Sequence, residues 1–128
     1  MKLIKGTDQT VKFKIYDNIT DRNPIDLSRF NEFICAITED YGRLIIEKKF
    51  STNNIKIYTD NETIANPYII EVQFKKEDTQ YTSLNPSDEE RLRSLELFGI
   101  DINEQVVRFL KTDFYLEGSG YYVYRNRR

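Results

Sequence analysis

Carboxylates are the side chains of this sequence best able to do chemistry. Asp17, Asp21 and Asp26 fall in one polar stretch, and Asp60-Asn61-Glu62 forms a second cluster. Two acids can hydrolyse a glycosidic bond when they face each other across a cleft and one has a raised pKa. Nothing in this spacing signals such a pair, and Asp favours turns, so these read as turn and surface acids. Asp17-Asn18-Ile19-Thr20-Asp21 loosely resembles a calcium loop. It lacks the central Gly and terminal Glu of an EF-hand and reads as an oxygen-rich turn.

The other reactive classes are thinner still. The chain has no histidine, which removes the commonest general base, the usual zinc ligand and every Ser–His or Cys–His nucleophile pair. Cys35 is the only cysteine. An intramolecular disulfide and a cysteine-based zinc site are therefore both excluded. Its place in the apolar run Phe33-Ile34-Cys35-Ala36-Ile37 predicts a buried thiol acting as a small hydrophobe. Gly118-Ser119-Gly120 lacks the Lys-Ser/Thr and the following helix of a phosphate loop. The expectation is a protein with no catalytic, cofactor-binding or metal-binding residues.

The elements that would position side chains are mostly strands. The 128 residues fit one domain, with nine Tyr and eight Phe that favour strands. Val11, Phe13 and Ile15 alternate with Lys12, Lys14 and Tyr16. Phe33–Thr38 and Leu44–Phe50 read as a hairpin around Asp40-Tyr41-Gly42. Ile55–Thr59 and Tyr68–Phe74 follow, then Val106–Leu110, Asp113–Leu116 and Tyr121–Tyr124. Between them, Ser87 and Glu90 make a capping box, and Leu92, Leu95 and Phe98 recur at helical spacing before Gly99. That predicts a helix over about 87–98 inside an insertion spanning about 80–112. Strands at this spacing predict a mainly antiparallel β-sandwich or small barrel, one domain over residues 1–128.

Charge and apolar patterning set expectations for partners. A net charge of −2 argues against nucleic acid, whose phosphates need a basic field. Met1–Gly6 has no apolar stretch of a secretion signal, and no run is long enough for a membrane helix. The lack of a disulfide predicts assembly in a reducing cytoplasm.

The opening Leu3-Ile4-Lys5-Gly6-Thr7-Asp8-Gln9-Thr10-Val11-Lys12-Phe13 resembles a phage family, the N-terminal domain of the upper baseplate protein and related tail modules. The similarity continues in the link Pro24-Ile25-Asp26-Leu27-Ser28 and the hairpin Glu32–Phe50. It resumes in Phe74-Lys75-Lys76-Glu77-Asp78-Thr79 and the last strand Gly120-Tyr121-Tyr122-Val123-Tyr124. Arg29-Phe30 departs from the small residues or glycine usual after that link, and the segment 80–112 looks like an insertion absent from short members. The resemblance covers about 90 residues in two blocks. It implies an immunoglobulin-like sandwich without enzyme activity that joins one virion component to another.

The expected role is a virion structural protein, an adaptor or ring subunit of a phage tail, neck or baseplate. Its partners would be other virion proteins and copies of itself, with no small-molecule substrate. Leu92, Leu95 and Phe98 on the helix and Tyr121, Tyr122 and Tyr124 on the last strand are the expected interface residues. Packing within the chain's own core competes for the same side chains. The alternative is a glycan or host-surface binding module using Tyr58, Asp60 and Asn61.

Overall fold

Alternation of apolar and polar residues builds two sheets around one core. In the computed structural model, residues 1–4, 6–15, 27–39, 44–59, 68–80 and 93–117 are described. The strands are β1 (Lys2–Ile4), β2 (Gln9–Lys14), β3 (Phe30–Thr38), β4 (Leu44–Lys49), β5 (Ile55–Thr59), β6 (Tyr68–Phe74), β7 (Arg93–Asp101) and β8 (Val106–Glu117). A 3-10 turn over Leu27–Arg29 leads into β3, and a short helix α1 (Lys76–Gln80) follows β6. One sheet has the order β1-β8-β7-β3-β4, and the other β2-β6-β5. All pairings are antiparallel except β1 with β8, which is parallel.

Each strand contributes its inward residues to a shared interior. Phe33, Cys35 and Ile37 of β3, Leu95 and Leu97 of β7 and Phe114 of β8 come from the larger sheet. Ile55 of β5 and Ile70, Val72 and Phe74 of β6 come from the smaller. Every one is under a tenth exposed. Burying such a side chain stabilises the fold by about 1.5–3 kcal/mol, so this two-sheet, sandwich-like packing is where the stability lies.

The helix expected over 87–98 is corrected where the structure describes that stretch. Arg93–Asp101 is β7, and residues 81–92 lie outside the described residues. Leu92, Leu95 and Phe98 do recur at helical spacing, but Arg93, Leu95, Leu97 and Gly99 alternate with Ser94, Glu96, Phe98 and Ile100, and the alternate set is buried. Nor is the stretch an insertion beside the sheet. β7 lies in the middle of the larger sheet, paired with β3 and β8. The segments expected at 106–110 and 113–116 are one continuous strand, β8. Tyr121–Tyr124 and Gly118–Gly120 lie outside the described residues.

Gly99 is therefore no helix stop. A Cβ there would lie 2.6 Å from Phe109 Cζ and 2.8 Å from Phe30 Cδ1. The missing side chain admits the edge-to-face pair of Phe30 and Phe109, with centroids 5.0 Å apart. Phe33 packs against both rings and meets Phe50 edge-to-face with centroids 5.8 Å apart. A glycine within a strand often marks such a close approach.

Helix α1 fastens both sheets. The Gly6 N–H, in the turn between β1 and β2, donates to Thr79 Oγ1 at 2.7 Å, and Thr79 is 1% exposed. The Lys76 N–H donates to Asp8 Oδ1 at 2.8 Å. Gly6 has φ 74°, a conformation glycine adopts at little cost. Asp78 of the same helix pairs with Lys48 of β4 at 2.5 Å. The Gly-Thr-Asp and Asp-Thr blocks singled out in the sequence thus meet in space and brace the fold.

Candidate interaction surface

The expected interface residues divide on burial. Leu95 has no exposed surface and belongs to the core, so it cannot dock on a neighbour. Phe98 is half-buried on the outer face of the larger sheet, in register with Ile34 of β3 and Arg108 of β8. An ion pair of Arg108 with Glu96 at 3.3 Å borders it. Leu92, Tyr121, Tyr122 and Tyr124 lie outside the described residues, as do Asp17, Asp21, Asp26, Asp60, Asn61 and Glu62. Among the described residues, no group of three or more His, Cys, Asp or Glu side chains is placed to hold a metal ion. No described helix is long and apolar enough to cross a membrane.

Cys35 is buried, and burial pushes its thiol up to about 12 against an opposing pull from the Lys48 charge. A thiol that far above neutral pH is not a nucleophile.

The structure exposes apolar side chains elsewhere, at the tip of the β7–β8 hairpin. Asp101 builds this tip. Its Oδ1 accepts the N–H groups of Asn103 and Gln105, each at 2.9 Å. Its backbone N–H donates to Gln105 O at 3.1 Å, and its carbonyl accepts from Glu104 N at 3.0 Å. Glu104 sits at φ 63°, a left-handed conformation unusual for a residue with a Cβ. The turn is thus over-determined, and it holds Ile102 78% and Val106 63% exposed. The signal was legible: Asp-x-Asn chemistry between Ile100 and Val106 marks a turn. The helix assigned to the preceding residues hid it.

A second apolar feature lies on the flank where β4 hands over to β5. Phe50, Asn53, Ile55, Lys56, Ile57 and Tyr58 line an open groove of about 410 Å³. Its turn is also pinned. Asn53 N–H donates to Phe50 O at 3.0 Å, and Asn53 has φ 63°. Glu32 Oε1 accepts from Phe33 N at 3.0 Å and Ser51 N at 3.1 Å. Burial alone would raise the Glu32 carboxyl, but these bonds and those of the Ser51 side chain and Phe50 N–H outweigh it and hold the pKa below the ordinary value.

The four outer strands are poor templates for edge pairing. β1 is three residues long. β2 presents Lys12 and Lys14 outward, and β5 presents Lys56. β4 turns Lys48, 5% exposed, into the interior. Short edges, edge lysines and inward charges all discourage another strand from adding. Among the described residues, the faces, the flank and the tip remain as surfaces for contact. Comparison with known proteins finds no matching family model and no matching curated relative.

Proposed function

We propose that this chain is a non-enzymatic structural subunit of a virion, an adaptor or ring component of a phage tail, neck or baseplate, built as an immunoglobulin-like sandwich. Residues of the smaller sheet follow the order β2-β6-β5, and the larger contains β8-β7-β3-β4. That reading is supported by the likeness of these neighbourhoods to the B-E-D and G-F-C-C′ strands of a variable-type immunoglobulin domain. The chain lacks that fold's usual core Trp and inter-sheet disulfide.

The observation that carries the role is the rigid tip holding Ile102 in solvent. Ile102 and Val106 stand exposed together on that turn, and apolar surface held outward suits a joint between subunits. Its partners in this reading are copies of the same chain and other virion proteins, met in the host cytoplasm during assembly. Immunogold labelling of particles from cells that encode the chain tests the role. Gold on tail, neck or baseplate supports it, and particles free of label alongside abundant free protein reject it.

A second reading, a glycan or host-surface binding module, draws on Tyr58, 37% exposed at the groove. Saturable binding of one sugar class by the monomer, abolished by Tyr58→Ala, would favour it.

A further inference from the structure

We propose that copies of this chain associate head to tail, the Asp101–Val106 tip of one copy seating in the Phe50–Tyr58 groove of the next. This rests on the assembly role above and names its contact.

Ile102 is the most exposed of the large apolar side chains among the described residues. Because the Asp101 carboxylate and backbone already lock its turn, little ordering remains to be lost when it is buried. The groove is preformed too, its turn pinned by Glu32 and Asn53.

A second copy is the occupant that the chemistry favours. The tip carries Asp101 and Glu104 and no cation between Asp101 and Val106. The groove carries Lys56 and no acid among its lining residues. Apolar knob and acidic rim on one side thus meet apolar floor and basic lip on the other. Within one copy Phe33 of β3 packs against both Phe109 of β8 and Phe50 of the groove, so tip and groove are neighbouring but distinct surfaces at one end of the sandwich, with β3 between the β7–β8 hairpin and β4. Joining two distinct surfaces is a heterologous contact, which closes as a ring or extends as a filament. The blunted edges described above disfavour strand addition as the competing route.

The test uses the full chain in three forms: wild type, the tip variant Ile102→Asp, and groove variants Tyr58→Asp and Lys56→Glu. Circular dichroism and a urea midpoint confirm that each is folded, and native mass spectrometry with sedimentation reads assembly. Wild type is expected to form oligomers. Ile102→Asp should raise the concentration at half-assembly at least tenfold, as loss of a buried isoleucine implies, and so should at least one groove variant. Mixing the tip variant with a groove variant is decisive. Each supplies the surface the other lacks, so the mixture forms one-to-one dimers and nothing larger. Wild-type oligomers that persist in both classes of variant overturn the tip-to-groove contact while leaving the assembly role standing. A wild type that stays monomeric at every concentration overturns the contact, and absence of label on particles separately overturns the role.

Discussion

Removing Asp78 should cost far more than removing its partner Lys48. The Lys48 side chain is 7% exposed and that of Asp78 20%. Asp78→Ala therefore leaves a largely buried ammonium without its ion-pair partner. It also deletes the acceptor for the Lys75 N–H at 2.6 Å. Breaking a buried pair from one side costs about 3–5 kcal/mol, a large part of the roughly 5–15 kcal/mol that holds a domain folded. Lys48→Met keeps the apolar stem and removes the charge. Asp78 then stays at the surface side, still accepting from Lys75, and the cost falls within about 1 kcal/mol. Urea unfolding followed by circular dichroism measures both, and the double variant Lys48→Met/Asp78→Ala closes a thermodynamic cycle. The double variant should recover about 2 kcal/mol or more of the Asp78→Ala loss. Equal costs for the two single changes, with coupling below about 0.5 kcal/mol, would refute the reasoning. Lys48→Met should also scatter more light than wild type at high concentration, because the inward charge guards the β4 edge.

Three other perturbations follow from geometry. Gly99→Ala drives a methyl into the Phe30 and Phe109 rings and should destabilise by about 1–3 kcal/mol in the same urea assay, with altered near-ultraviolet aromatic dichroism. Glu104→Gly relieves a left-handed residue at φ 63° and should stabilise by about 1 kcal/mol, read as a higher melting temperature. Cys35 is protonated more firmly in the folded chain than in the unfolded one, about 12 against 9.0. Its contribution is fully present below pH 9.0 and lost as pH rises toward about 12, about 4 kcal/mol in all. Unfolding midpoints of wild type and Cys35→Ala between pH 8 and 11 check it, and parallel curves would refute it.

Five strands were legible because alternation is a local property. β4, β5 and β6 match the expected spans to within a residue, while β2 and β3 begin two and three residues earlier than Val11 and Phe33. β7 was not, because two of its inward positions carry residues that read as surface or breaker. Arg93 is 1% exposed and faces the Glu39 carboxylate at 3.8 Å, and Gly99 is empty space for two phenyl rings. Subtract those, and Leu92, Leu95 and Phe98 stand out at helical spacing, with Leu95 and Phe98 on opposite faces of the strand. The inward Lys48 is tolerated because Asp78, thirty residues on, pairs with it. β1 is too short for any period to show. Of the expected interface, the structure moved Leu95 inside and left Phe98 on a face. Ile102 gives no sequence signal of its own, because the helical spacing of Leu92, Leu95 and Phe98 masks the hairpin that presents it.

The parallel pairing of β1 with β8 has a mechanical consequence. Lys2, Leu3 and Ile4 lie beside Tyr115, Leu116 and Glu117 and run the same way. Met1 is tied in as well, its carbonyl accepting from Tyr115 N at 2.9 Å. Tension applied before β1 and after β8 pulls these neighbours along their length in opposite senses. The cross-strand bonds then carry the load together in shear, whereas an antiparallel terminal pair would peel open one bond at a time. Pulled from its two ends, this domain should stretch little and yield abruptly.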